Sequence, residues 1–191
     1  DACLVGSEMC IRDRYVASGP TVGASTGGEH ARAILERIGV WDELSAQLRA
    51  HISAVTPSDP SCFTHVTNTL IGGNKVSVDA ALRSASQDLP TTQLCDWLDG
   101  EVADAAAYLF TSAAECARKG QPCALICGGE TTVNVVGTGM GGRNQELALR
   151  FAALAENAPL ASNWVFLSGG TDGRDGPTDA AGGLVDAGSF T

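Results

Sequence analysis

The chain has 191 residues, 44% hydrophobic and 18% charged, enough to bury a sizeable core, which excludes intrinsic disorder; its 23 glycines stand mostly in pairs, without the period of a fibrous repeat. Twelve basic against 22 acidic side chains give a formal charge of -10, which excludes a nonspecific hold on nucleic acid or an anionic membrane but leaves room for a phosphate site built from backbone amides and one or two arginines. No apolar run approaches the roughly 18 residues needed to span a bilayer.

Residues 1–14, DACLVGSEMCIRDR, lack the basic start and unbroken apolar stretch of a secretory signal. The run 4–13 resembles a translated sequencing adaptor, with a natural, poorly ordered tail as the alternative, and 1–14 are set apart from the fold. The chain is expected to be an internal piece of a longer protein. From Tyr15 a short extended stretch is broken by Ser18-Gly19-Pro20. Residues 29–39 place Ala31, Ile34, Leu35 and Ile38 at helical spacing with Gly39 as a stop, and 41–54 predict a second amphipathic helix through Trp41, Leu44, Leu48 and Ile52. The apolar run 66–71 predicts a strand that opens through Gly72-Gly73-Asn74-Lys75 into a helix over 76–88. A second strand over 92–98, broken at Asp96, precedes a long alanine-rich helix over 101–119 that ends at Gly120 and Pro122.

Beyond Pro122 the pattern predicts strands over 123–127 and 131–136, a helix over 144–157 and a strand over 164–167 that empties into SGGTDGRDGPTDAAGG. Alternating strands and helices place the chain in the α/β class. A partial parallel α/β domain over 15–119 is followed by a smaller, incomplete α/β domain over 120–191. Seven cysteines without a CxxC pair fit reduced thiols in a cytosol-like compartment, and none is assigned chemistry.

Three strand exits carry glycine pairs beside polar residues: Gly128-Gly129-Glu130, Gly141-Gly142-Arg143-Asn144 and Gly169-Gly170-Thr171-Asp172. In open α/β sheets ligands bind beyond the carboxyl ends of strands, where glycine admits the backbone closely and the next helix presents unpaired amides. Arg143 before a helix start can grip a phosphate with a fork of donors, or pair on the surface with Glu146 or Asp172. Asp172, Asp175 and Asp179 can hold a divalent cation or accept a hydroxyl proton, or serve as turn residues; Glu130 is a loop cap or a site carboxylate. The glycines of 137–142 match neither GxGxxG in the dinucleotide register nor GxxxxGK[ST]. Lys75 is open between phosphate contact and ordinary solvation. His30, His51 and His65 read as surface or loop residues.

The strings GGETTV (128–133), GMGGRNQE (139–146), GTDG (170–173) and DGPTDAAG (175–182) resemble the signature blocks of the MOFRL-type glycerate kinases. Ser18-Gly19-Pro20-Thr21 and Ile71-Gly72-Gly73-Asn74 resemble blocks of that family's larger N-terminal domain. Gly73 and Cys127 depart from the commoner residues of those blocks. The resemblance implies two α/β domains around a cleft and an ATP-dependent, Mg2+-requiring transfer to D-glycerate, typically giving 2-phosphoglycerate. It implies Arg143, Asp172 and Glu130 as catalytic residues and Gly128, Gly129, Gly141, Gly142, Asn144, Gly170 and Thr171 as nucleotide-binding. Asp172 and Asp175 are implied as metal ligands, with Glu146 supporting the loop. It further implies a cytoplasmic protein whose partner is the small-molecule substrate, not nucleic acid or membrane, with a homodimer left open. The early half of the family's N-terminal domain, including a lysine that handles phosphate, has no counterpart here, so residues 15–191 alone are expected to lack kinase activity. A hydroxypyruvate reductase and a noncatalytic nucleotide- or sugar-acid-binding module are the rival readings.

Overall fold

A computed structural model describes residues 23, 24, 26–67 and 72–190. The expected extended stretch at Tyr15, the Ser18-Gly19-Pro20-Thr21 block, Cys3, Cys10 and most of the expected strand at 66–71 lie outside the described residues. The chain divides into two compact units, 1–71 and 72–191. Among the described residues no helix is long and apolar enough to cross a membrane.

The described part of the first unit is helical. Helix α1 (Gly28–Arg37) packs against α2 (Ala46–Ala54), and the Gly28 amide donates to the Val55 carbonyl at 2.7 Å. The continuous helix expected over 41–54 is instead a 3-10 turn at Trp41–Glu43 and then α2. Ser45 causes the break: its hydroxyl accepts the Leu48 amide at 3.2 Å and so fixes a new helix start. The Arg32 guanidinium lies 5.2 Å from the centre of the Trp41 ring.

The second unit carries the sheets and the core. Helix α3 (Asn74–Ala85) leads to β1 (Thr91–Gln93) and β2 (Leu98–Glu101), then α4 (Val102–Arg118), β3 (Ala124–Ile126), β4 (Gly129–Thr132), α5 (Arg143–Asn157), β5 (Val165–Gly169) and β6 (Gly182–Asp186). β1 pairs in parallel with β3 and β2 with β4, so one long segment runs beside another. Between the two ladders the four residues 94–97 stand opposite only Cys127 and Gly128, a bulge in the place where Asp96 interrupts the apolar pattern. The Tyr108 hydroxyl donates to the Leu94 carbonyl at 2.9 Å, and Gln93 Nε2 donates to Asp96 Oδ1 at 3.1 Å; both pin the bulge.

Three expectations shift here. The strand expected over 131–136 begins at Gly129 and stops at Thr132, because its partner β2 ends at Glu101 and turns directly into α4, which leaves Val135 and Val136 without a ladder. They are 82% and 98% exposed. The segment after β5 returns as β6, antiparallel to β5, with Val165 opposite Asp186 and Gly169 opposite Gly182. Cys116 and Cys123, expected as reduced thiols, are disulfide-paired, because the Gly120 turn returns the chain beside the end of α4.

The core lies between α4 and α5. Val102, Ala105, Ala106 and Leu109 face Leu147 and Phe151, and Ala148 and Ala152 pack on Val185 of β6. Phe151 stacks on Phe166 with ring centres 4.3 Å apart and meets Phe110 and Trp164 edge-on. Burying aromatics of this size, at about 25 cal/mol per Å2 of apolar area, makes α5 the central element of the unit. A helix that is clamped along one face holds its first turn in a fixed place.

Candidate active site

Helix α5 begins at Arg143, behind Gly142, whose missing side chain supplies no cap. The first helical amides therefore need partners from elsewhere. Asp175, from the loop 170–181 between β5 and β6, supplies them. Its Oδ1 accepts the Asn144 amide and the Asn144 side-chain amide, both at 3.0 Å; its Oδ2 accepts the Gln145 amide at 2.8 Å and Gln145 Nε2 at 3.1 Å. Gln145 Nε2 also donates to Thr178 Oγ1 at 2.9 Å, and that hydroxyl donates to the Asp175 carbonyl at 2.7 Å. Ser168 of β5 donates to Asn144 Oδ1 at 2.8 Å.

Asp175 is only 1% exposed. Burial alone would raise its pKa, but the donated bonds from Asn144 and Gln145 outweigh it and hold the carboxyl below the usual carboxylate range. The partial positive charge of the helix start favours the same ionised form. Close packing enforces the arrangement. A side chain at Gly142 would run into the Asp175 carboxylate, and Gly176, at φ +61° in the left-handed region, sits against the Gly141 carbonyl.

Arg143, the first residue of α5, reaches β4. Its Nη2 lies 3.2 Å from Glu130 Oε1, and each side chain is about a third exposed (37% and 35%). An ion pair that open to solvent contributes about 0–1 kcal/mol, so a phosphate can take the guanidinium from Glu130 at small cost. Arg143 is therefore held gently by its charge and firmly by its backbone.

The residues singled out from the sequence are not all brought together. Glu130 and Arg143 meet; Asn144, Gly142 and Asp175 form the clamp. Asp172 lies exposed at the turn leaving β5, where it accepts the Arg174 amide at 3.2 Å and stands close to Gly170; Thr171 is exposed in the same turn. Gly129 lies against the Leu98 backbone across the ladder, and Gly128 against Asn74 and Val78 of α3. Gly141 is exposed. Glu146 pairs with Arg150 at 2.7 Å and not with Arg143; Lys75 pairs with Asp79 at 3.0 Å on the surface of α3. The described histidines are exposed. Burial pushes the Cys127 thiol up to about 12, with neighbouring Cys95 adding to the effect, and no thiolate nucleophile results. Gln145, Thr178 and Ser168 are not among the residues the sequence singles out; the signal that could have found them is the capless Gly142 with Asn144-Gln145 at the second and third helical positions.

Among the described residues no group of three or more His, Cys, Asp or Glu is gathered to hold a metal. An ion that keeps most of its waters and takes one or two carboxylates, as Mg2+ does, needs only an exposed carboxylate, and Asp172 is one. Asp175 is committed to α5. A cavity of about 420 Å3 lined by Ala152, Glu156, Trp164, Asp186 and Phe190 lies at the other, C-terminal end of α5.

A profile of the MOFRL family matches residues 123–191, the stretch that holds Glu130, Arg143 and Asp175. A glycerate 2-kinase of Pyrococcus horikoshii is 36% identical over 186 residues, an overlap of 92% of this chain and 41% of that protein. A D-glycerate 2-kinase of Thermotoga maritima is 37% identical over 190 residues, covering 97% of this chain and 44% of its own. A crystal structure of a glycerate kinase from Thermotoga maritima superposes with a TM-score of 0.69 at 36% identity, over 94% of this chain and 42% of that one. The chain thus spans less than half the length of these relatives. The α/β topology and the signature blocks in order agree with these comparisons: the chain is similar to glycerate 2-kinases over most of its length, and its residues 123–191 match the MOFRL family.

Proposed function

We propose that this chain supplies part of the active site of an ATP-dependent glycerate kinase that phosphorylates the 2-hydroxyl of D-glycerate to give 2-phosphoglycerate. The observation that carries the reading is the Arg143–Glu130 pair at the start of a clamped helix, in a segment whose relatives bear the name glycerate kinase. Phosphoryl transfer asks a protein mainly for positioning and for positive charge where negative charge spreads over the transferring oxygens. Arg143 is the residue for that charge, and its fork of N–H donors suits phosphate oxygens. Glu130 holds the guanidinium in place until phosphate takes it over, and then lies beside the reacting groups as a proton acceptor for the glycerate hydroxyl. ATP supplies the phosphoryl group and Mg2+ neutralises its charge; Asp172 is the residue of this chain that would hold the metal. Gly129, Gly141, Gly170 and Thr171 border the phosphates, where small residues let the backbone come close.

The test is a coupled assay on the complete gene product, with glycerate and ATP against hydroxypyruvate and a reduced nicotinamide. Glycerate-dependent ADP release, lost by about 1,000-fold in Arg143→Ala with the fold retained, is the expected result. Nicotinamide oxidation without ADP release would overturn it.

A further inference from the structure

We propose that Asp175 is a positioning residue for Arg143 rather than a ligand of the metal. This inference rests on the kinase reading for its activity readout, but not for its geometry. An acidic side chain in a glycine-rich loop beside a phosphate-handling arginine invites the reading of a metal carboxylate. The structure argues otherwise on three counts. First, the carboxylate is almost fully buried, at 1% exposure, whereas Asp172 three residues earlier is in the open. Second, each of its oxygens already accepts two hydrogen bonds, from the amides and side chains of Asn144 and Gln145. A metal ion would have to displace the backbone amides of Asn144 and Gln145, for which no other acceptor stands in that buried place, while Gln145 Nε2 would keep Thr178 Oγ1. Third, the accepted amides belong to the second and third residues of α5, where a helix needs a cap and where Gly142 gives none.

The carboxylate therefore caps α5 from 30 positions downstream. It also takes up amides that a helix start would otherwise offer to a phosphate. The phosphoryl group is then left to the Arg143 guanidinium, whose backbone is set by the clamp from one side while Ser168 holds Asn144 from β5. Displacements of about 1 Å in such a group cost on the order of 100-fold in rate.

The experiment is a double-mutant cycle in the complete gene product, reading kcat, KM and the Mg2+ concentration for half-activation, with amide hydrogen exchange on the same proteins. Asp175→Asn should lower kcat by about 100-fold, leave both KM values and the Mg2+ requirement within about threefold, and speed exchange at Asn144 and Gln145. In the Arg143→Ala background the same change should cost almost nothing further, because it acts through the arginine. Asp172→Asn should be the variant that raises the Mg2+ requirement. A tenfold or larger rise in that requirement for Asp175→Asn would make Asp175 a metal ligand and overturn the proposal. Multiplicative losses in the double variant, or unchanged kcat in the folded fraction, would overturn it too. If Asp175→Asn does not fold, Gln145→Met, which keeps the carboxylate and both amide bonds, carries the same cycle with an expected loss of about fivefold. If the wild-type protein turns over no glycerate, the kinase reading fails by itself, and hydrogen exchange alone then decides: unchanged protection at 144 and 145 overturns the clamp.

Discussion

Two glycine-rich loops flank the start of α5, and they have opposite characters. The loop 133–142 has four glycines in ten residues and the loop 170–181 three in twelve. The first leaves Val135, Val136 and Met140 in solvent, with nothing within 4 Å of where side chains at Gly139 and Gly141 would stand. The second buries Asp175, folds Thr178 back on its own backbone and docks onto the helix. Glycine content permits both outcomes. One buried carboxylate with four donors separates them, since an ordered loop must offset about 1–2 kcal/mol of backbone entropy per residue; the first loop has the exposed Asn134–Glu101 bond at 2.9 Å, whereas the second has the buried set around Asp175.

The largest expected effect follows directly. Asp175→Ala leaves buried amides of α5 unpaired and should lower stability by about 3 kcal/mol in urea unfolding, while Asp172→Ala should stay within about 0.5 kcal/mol. Equal effects would erase the distinction between clamp and turn. Next comes the packing that lets the clamp close. Gly142→Ala places a methyl group against the Asp175 carboxylate and should cost about 2 kcal/mol, whereas Gly139→Ala meets nothing within 4 Å and should be neutral or slightly stabilising.

Acid separates the loops as well. The folded-state pKa of Asp175 lies below its unfolded value of about 3.9, so its contribution to stability is present above about pH 4 and is lost as pH falls through the folded value. The gap in unfolding free energy between wild type and Asp175→Asn should therefore narrow between pH 5 and the lowest pH at which the protein stays folded; a constant gap would remove the carboxylate from the account. The loop 133–142 has no titratable side chain and should add no acid sensitivity. The smallest effect is expected from Val136→Ser, within about 0.5 kcal/mol, because this side chain is 98% exposed.

Much of this was legible in the linear pattern. The helices α1, α3, α4 and α5 follow from apolar spacing and glycine stops. Asp96 marked the interruption that became the bulge. The reach of β4 was misjudged at Val133–Val136 because β-branched residues satisfy strand propensity whether or not a neighbour is present; only the turn of β2 into α4 at Glu101 shows that the neighbour runs out. β6 was missed because Gly182-Gly183 read as the tail of a loop. The candidate site residues stand out in the sequence by type, Arg143, Glu130 and the aspartates among them, and the structure pairs Arg143 with Glu130. The different surroundings of Asp172 and Asp175 do not show in the sequence, since the two look alike in a string of Asp-Gly steps.

The amino-acid order by itself determined the α/β class, the identity of the charged residues and the family likeness, because these depend on local periodicity and on short contiguous blocks. The tertiary structure alone decided which aspartate is buried, that it caps a helix through an amide 30 residues earlier in the chain, and that the guanidinium of Arg143 rests against Glu130. The physical reason is that burial and hydrogen-bond partnership belong to pairs of distant segments. A buried carboxylate is tolerable only where the fold delivers donors to it, and no stretch of ten residues contains that information.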